Sequence, residues 1–270
     1  MKITILGSSG FVGSNLKSFL YSKNCEVITP TVDEMLLKKK DYGVVFYCIG
    51  LTSDFRDRPF AAIEAHVEKL SRILERSEFK KLIYLSSTRL YQDSKTTKEE
   101  DSLVMNPTKS DSIYNISKAL GESLCFNILD KLTCVVRLSN VIGLNQNSNT
   151  FLGQLLSLAN KGKVTFESGP DSVRDYISIN DVSKILYKMA FQNNNIIYNL
   201  ASGLNYENRE LANHLKSIYN CEVRFAPNSR YEKVQKIDVS RIKSEFNFEP
   251  ESIKNVFDDI ISNAKWKGQM

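Results

Sequence analysis

The chain has 270 residues, 42% hydrophobic and 25% charged, with 36 basic and 31 acidic side chains and a net charge of +5. That is ordinary for a globular protein with ample core, built as one large domain or two small ones. No basic stripe stands out, so nucleic acid is excluded as an expected partner, and the run Lys38-Lys39-Lys40 reads as a solvated turn. The five cysteines lack a Cys-x-x-Cys spacing and the two histidines, His66 and His214, are isolated, so no metal site is expected.

The first apolar run, Ile3 to Leu6, is of strand length and too short for a signal peptide. No stretch approaches transmembrane length, so no membrane partner and a cytoplasmic location are expected. The run feeds Gly7-Ser8-Ser9-Gly10-Phe11-Val12-Gly13, and helical periodicity follows from Phe11 to about Tyr21. Gly7 permits a tight turn, Gly10 lets backbone approach a pyrophosphate, and Gly13 lets helix and strand pack closely. The helix N-terminus would face the phosphates. A glycine turn without a ligand is the alternative.

Glu26 to Thr29 reads as a second strand, followed by Pro30, Thr31 and Asp33. The stretch from Asp33 to Asp41 is short, so a third strand is expected to be missing or reduced. Gly43 to Cys48 is a continuous apolar run, consistent with a strand buried on both faces. It leads into the turn Ile49-Gly50-Leu51-Thr52, a charged loop from Asp54 to Pro59, and a helix from Ala61 to Arg76. Lys81 to Leu85 is the next strand and ends at Ser86-Ser87-Thr88-Arg89-Leu90-Tyr91.

Gln92 to Ser112 is long and polar and reads as a flexible loop over a site mouth. A helix follows from Ser112 to about Leu129. It carries Tyr114 and Lys118 one turn apart, where a lysine ammonium would pull a phenol below its usual pKa. The same spacing recurs at Tyr91 and Lys95, in a stretch without helical pattern.

Thr133 to Leu138 is another buried strand, with Asn140 and Gly143 just beyond. After Asn140 the alternation loosens. Helices are expected at Phe151–Asn160, Asp181–Phe191, Asn208–Ile218 and Ser252–Ala264. Strands are expected at Val164–Phe166, Ile196–Leu200 and Glu222–Phe225. The fold class is α/β: a Rossmann-like doubly wound parallel sheet with a smaller substrate-binding domain formed mainly by C-terminal segments. Residues 1–140, completed by 179–200, form the dinucleotide-binding domain; 141–178 and 201–270 form the substrate domain.

Gly7-x-x-Gly10-x-x-Gly13, Ser86-Ser87-Thr88, Tyr114-x-x-x-Lys118, Arg137-Leu138-Ser139-Asn140 and Arg174-Asp175-Tyr176-Ile177 occur in that order. Together they resemble the extended short-chain dehydrogenases/reductases, the group of nucleotide-sugar epimerases, dehydratases and reductases. The resemblance implies Ser87, Tyr114 and Lys118 as catalytic residues, with Ser86 or Thr88 as alternatives to Ser87. It implies a dinucleotide held by Gly7, Gly10, Phe11, Val12, Gly13, Thr31, Cys48, Ile49, Gly50, Leu85, Tyr114, Lys118 and Leu138. The aspartate that contacts adenine in many relatives has no clear counterpart. A nucleotide sugar would meet Thr52, Thr88, Asn140, Gln154 and Arg174, whose planar guanidinium suits phosphate. His66 stands where relatives often carry asparagine, and a structural role is expected for it. A homodimer is left open.

NAD-binding relatives close the second strand with an acidic residue; Thr31 stands there here, which favours NADP(H) over NAD(H). Dehydratases of the group place an Asp-Glu pair after the catalytic hydroxyl; Thr88-Arg89 stands there instead, which disfavours 4,6-dehydration. The leading expectation is reduction of a 4-keto (deoxy)sugar with Tyr114 as proton donor. The alternatives are a 4-epimerase with retained NAD and a non-catalytic dinucleotide-binding protein.

Overall fold

The computed structural model describes residues 1–267 except 39, 52, 110, 129, 145–149, 232 and 233. In chain order its elements begin β1 (Lys2–Leu6), α1 (Phe11–Ser22), β2 (Glu26–Ile28), α2 (Val32–Leu37), β3 (Val44–Tyr47), α3 (Pro59–Ile63), α4 (Lys69–Arg76), β4 (Lys81–Ser87) and α5 (Ser112–Phe126). They continue β5 (Thr133–Leu138), β6 (Asn140–Ile142), α6 (Phe151–Asn160), β7 (Lys163–Ser168), β8 (Val173–Ser178), α7 (Ile179–Met189) and β9 (Ile197–Leu200). The last are β10 (Asn205–Glu207), α8 (Asn208–Tyr219), β11 (Glu222–Arg230), α9 (Ser240–Phe246) and α10 (Ile253–Lys267).

Six parallel strands form the main sheet in the order β2-β1-β3-β4-β5-β9. Among the described residues no strand lies between β2 and β3, as the short connecting segment led us to expect. The apolar runs are buried on both faces. Val44, Phe46, Ile83 and Leu85 join one core with α1, α7 and α9. Val45, Tyr47, Leu82 and Tyr84 join the other with α2, α4 and α5. That period-two division is what a strand between two helix layers requires. The chain leaves β1 for β2 on one side and crosses to β3 on the other, so a crevice opens beyond the carboxyl ends of β1 and β3.

A third core gathers α6, α8 and α10 against β7 and β8. Beside it lie a three-stranded sheet, β10-β8-β6, and a two-stranded pair, β11-β7. The short strands β6 and β10 and the helices α2 and α9 have no counterpart in our sequence expectations. Helix α9 returns to the main sheet, with Ile242 and Phe246 in the first core. Helix α5 ends at Phe126, short of the expected Leu129, which lies outside the described residues.

The segment expected to be a flexible loop is instead tied down. Asn199 donates from its backbone to Glu99 Oε1 (2.9 Å) and from its amide to the carbonyls of Thr97 (2.7 Å) and Asp238 (2.9 Å). Thr97 Oγ1 donates to Lys236 O and accepts from Asp238 N. Buried polar groups must find partners, and here the partners are the segment's own backbone and side chains.

Tyr91 belongs to the same network, which explains its accidental motif. Its hydroxyl donates to Asn199 Oδ1 (2.8 Å) and accepts from Arg137 Nη1 (2.6 Å). Arg137 in turn clasps Glu122 through Nε and Nη2, and Ser86 donates to Glu122 Oε1 at 2.5 Å. Tyr91→Phe should therefore lower stability by ~1–3 kcal/mol, because two buried groups lose a partner. Urea denaturation measures this; an unchanged midpoint would show that the hydroxyl carries no such load.

Candidate active site

The glycine loop joins β1 to α1 at the mouth of the crevice. Gly7 has φ +81°, and a Cβ there would lie 2.8 Å from the Cys48 carbonyl carbon, so the loop and the end of β3 touch backbone to backbone. A Cβ on Gly13 would lie 2.2 Å from Gly7 O, which fixes the close packing of α1 on its own loop. Gly10 is different. Its added Cβ would meet only Gly7 O, at 3.4 Å, and would otherwise stand in open space before the helix. Helix α1 begins without a side-chain cap and without an acidic residue in its first turn. Its leading N–H groups and dipole therefore suit a pyrophosphate, and a dinucleotide fits this cradle.

The other expected cofactor residues line the carboxyl ends of the strands. Phe11 and Val12 open α1, half-buried. Cys48, Ile49 and Gly50 follow β3, with burial pushing the Cys48 thiol up to about 12. Leu85 and Leu138 lie buried near the ends of β4 and β5. Gly50 faces Lys118, whose Nζ would be 3.4 Å from a Cβ there.

Thr31 stands apart, exposed at the sheet's edge, and its surroundings differ from expectation. It caps α2 in a reciprocal box: Thr31 Oγ1 accepts from Glu34 N, and Glu34 Oε2 accepts from Thr31 N at 2.7 Å. A carboxylate therefore does stand at the end of β2, three residues later than in NAD-binding relatives. The Thr31 bonds hold the Glu34 carboxyl below its usual range, helped by Lys38 and Lys40. Arg72 of α4 reaches Asp33 at 3.3 Å, so a guanidinium invisible in the local sequence also stands near.

Ser87 ends β4 and Tyr114 sits in the first turn of α5, brought against it. The Ser87 side chain lies close enough to the Tyr114 phenol to pull on its titration, and its hydroxyl accepts from Arg89 N at 3.2 Å. Ser86 turns the other way to Glu122, and Thr88 Oγ1 donates to Leu138 O (3.3 Å), so of the three hydroxyls Ser87 is the one facing Tyr114. The Tyr114 ring lies between Phe55, at 4.7 Å between centroids, and His66, edge-on at 5.2 Å. Burial pushes the Tyr114 phenol up, while Ser87 and the charge of Arg89 pull against that rise.

Lys118 lies buried near the end of β4. Its Nζ donates to Leu85 O (2.8 Å) and lies 5.0 Å from the centre of the Tyr84 ring. Burial pulls its ammonium down to about 8, and Glu122 opposes that fall. The charge of Arg89, which no motif singled out, also pulls the Tyr114 phenol down.

His66 sits in a π turn (Glu64–Glu68), fully buried. Its Nε2 accepts from Leu51 N (3.5 Å), which places its proton on Nδ1, 2.9 Å from Ser117 Oγ. Ser117 Oγ passes the chain on to Tyr114 O at 3.0 Å. His66 thus ties the turn after β3 to the start of α5, a structural role as expected.

On the far side, Asn140 donates to Asp175 O (2.8 Å) across the β6–β8 pair. Arg174 donates to Asn208 Oδ1 (3.2 Å) and lies 4.4 Å from the centre of the Phe151 ring on α6. Gln154 is exposed one turn further along that helix. Asp175 accepts from Ser202, Gly203 and Leu204 and so pins the turn after β9. Thr52 lies outside the described residues. Phe55 and Asp111, which no motif singled out, reach the site through loop folding alone.

A sequence model of the NAD dependent epimerase/dehydratase family matches residues 3–201. The chain is 31% identical over 232 residues to the GDP-6-deoxy-D-talose 4-dehydrogenase of Aggregatibacter actinomycetemcomitans, covering 76% of each chain. In three dimensions it is similar to MoeE5 in complex with UDP-glucose and NAD, at a TM-score of 0.83, 16% identity and full coverage of both chains. It is also similar to RMD from Pseudomonas aeruginosa complexed with NADPH, at a TM-score of 0.78 and 21% identity, covering 99% of this chain and 98% of that one. The dinucleotide fold and the family match together define a class, the extended short-chain oxidoreductases. Within it, the chain belongs to the NAD-dependent epimerase/dehydratase family.

The glycines separate binding from folding. Gly10→Val should stay folded yet lose the melting-temperature shift given by NADH or NADPH, a stabilisation of ~2.7 kcal/mol at a hundredfold excess over Kd. Gly13→Ala should instead destabilise the fold by ~1–3 kcal/mol, because its Cβ collides with backbone.

His66 supplies a pH prediction. Burial lowers its imidazole from 6.5 to about 2, so the folded state excludes a proton that the unfolded chain takes up. Its contribution is present above about pH 6.5 and lost as pH falls below it, by up to ~1.4 kcal/mol per pH unit. His66→Asn should flatten the acid limb of stability against pH, measured by urea denaturation from pH 7 to about 5. A limb of equal slope in both proteins would place the titration elsewhere.

Proposed function

We propose that this protein is a nucleotide-sugar 4-ketoreductase. The observation that carries the reading is Ser87 near Tyr114, with Thr88-Arg89 following where an eliminating enzyme needs a pair of carboxylates. A bound nicotinamide supplies hydride to the C4 carbonyl carbon. Tyr114 gives its phenolic proton to the carbonyl oxygen, and the phenolate left behind is reprotonated from water. Ser87 hydrogen-bonds the same oxygen and orients it. We assign Lys118, beside Gly50 and Leu85, to the nicotinamide ribose.

The sugar nucleotide is assigned to Thr88, Asn140, Gln154 and Arg174. Arg174 presents a flat guanidinium stacked on Phe151, a form suited to phosphate oxygens. The relative named GDP-6-deoxy-D-talose 4-dehydrogenase supports this substrate class, since dehydrogenation at position 4 reversed is a 4-keto reduction. For the cofactor we favour NADP(H). Lys38 and Lys40 act on Glu34 and Arg72 on Asp33, and these charges would soften the repulsion of those carboxylates towards a 2′-phosphate.

The test is oxidation of GDP-6-deoxy-D-talose with NADP⁺ or NAD⁺, followed by the absorbance of reduced nicotinamide. Wild type should turn over, faster at limiting cofactor with NADP⁺, and Tyr114→Phe should lose ~10²–10⁴-fold in kcat while keeping its cofactor affinity. A protein that is purified with NAD bound and interconverts C4 epimers without added cofactor would replace this reading with epimerisation.

A further inference from the structure

Asp111 stands at the N-cap of α5, where an aspartate ordinarily accepts from the first free N–H groups of the helix. Here its side chain makes no such bond. The carboxylate turns instead to two guanidiniums that arrive from different strands. Arg56 ends the short turn Ser53–Arg56 after β3 and lies 3.1 Å from Asp111 Oδ2. Arg89 lies in the short turn Thr88–Tyr91 after β4 and pairs with the same oxygen. Both guanidiniums lie over the Phe55 ring, at 4.7 Å and 5.2 Å from its centre. Two cations so close to one ring repel each other, and the carboxylate they share is what lets both stay. Phe55 beneath them is 3% exposed, and its ring lies 4.7 Å from that of Tyr114.

We propose that Asp111 is a positioning residue of this site: by gathering Arg56 and Arg89 onto Phe55, it holds that ring against Tyr114 and so fixes the phenol in its reacting orientation. The inference rests on Tyr114 being the proton donor of the proposed reaction. The torsions of a tyrosine side chain are restricted by what packs on its ring. On one side His66 meets the Tyr114 ring edge-on at 5.2 Å, and His66 is fixed by its own bonds to Leu51 and Ser117. On the other side stands Phe55, whose phenyl ring has no hydrogen-bonding group and whose turn is four residues long. Its place therefore depends on the two guanidiniums over it, and theirs on Asp111. One carboxylate thus joins the start of α5 to segments 55 and 22 positions away. The arginine side chains are 51% and 32% exposed, so solvent screens these pairs and they add little to global stability. Their effect is local: a reacting group moved slightly out of place loses rate while the fold stands.

Fluorine NMR of the cofactor-free protein labelled with 3-fluorotyrosine reads this contact without any substrate. The Tyr114 resonance is the one that disappears in Tyr114→Phe. In wild type it should stand apart from those of exposed tyrosines, shifted by the rings of Phe55 and His66. In Asp111→Asn it should move towards the exposed position, and in Asp111→Glu, which keeps the carboxylate, it should return towards wild type. Oxidation of GDP-6-deoxy-D-talose by Asp111→Asn should fall ~10–10²-fold in kcat, with the KM for cofactor unchanged and the melting temperature nearly so. Should Asp111→Asn not fold, Arg56→Gln removes one arm, leaves the pair of Arg89 with Asp111 intact, and carries the same expectation. A resonance that stays put would make the cluster a purely structural one and overturn the proposal, as would a resonance that moves while kcat holds. A wild type inactive towards GDP-6-deoxy-D-talose discards the reaction instead; the resonance of Asp111→Asn then decides the positioning alone, sustaining it by moving and overturning it by staying.

Discussion

The buried pair Glu122–Arg137 is the interaction on which the site depends. Both side chains are nearly inaccessible, and the guanidinium meets the carboxylate through two nitrogens. Such a pair adds little net stability, because desolvation offsets most of the attraction. Breaking it is another matter: a lone buried charge costs about 3–5 kcal/mol. Helix α5 can therefore sit in only one rotation and one height against β4 and β5. That constraint fixes Tyr114 and Lys118, which ride on the helix about two turns and one turn before Glu122. It also fixes Ser87, since its neighbour Ser86 is bonded to the same carboxylate.

From Arg137 the constraint spreads through hydroxyl and amide groups. Tyr91 links it to Asn199 on β9, and Asn199 holds the long segment after Tyr91 and the stretch before α9. Composition made the segment from Gln92 to Ser112 read as a free loop, since it is polar and rich in charge. Its anchors are buried polar contacts between residues about one hundred positions apart, and no local pattern encodes these. The same limit hid α9 and the short strands β6 and β10. Each is too brief for periodicity to emerge: β6 and β10 exist because β8 pairs with them, and α9 because Ile242 and Phe246 pack into the first core.

What was legible is the part dictated by local chemistry. The sheet strands announced themselves as continuous apolar runs, because strands covered on both faces have no polar side. The glycine loop was legible because backbone contact at Gly7 and Gly13 excludes a Cβ. At Thr31 the sequence showed a missing carboxylate, but folding returned one through Glu34, since a capping box reaches three residues along the chain. The one-turn spacing of Tyr114 and Lys118 was legible, but not the bond of the ammonium to Leu85 O. Spacing sets which faces coincide; it does not say which carbonyl or ring a long flexible ammonium will choose.

The resting charge of the site bears on the direction of the reaction we propose. Tyr114 is pushed up by burial and only partly brought back by Ser87 and Arg89, so near neutral pH it holds its proton. A ketone reduction consumes that proton, whereas alcohol oxidation must first remove it. A phenol kept protonated at rest is thus prepared for reduction and must be discharged before oxidation. The barrier to discharge is bounded by the groups that face the phenolate. Burial disfavours the phenolate, and a guanidinium held in place favours it without moving as charge develops. In the reaction we propose, the balance between those two terms suits Tyr114 to give its proton at neutral pH.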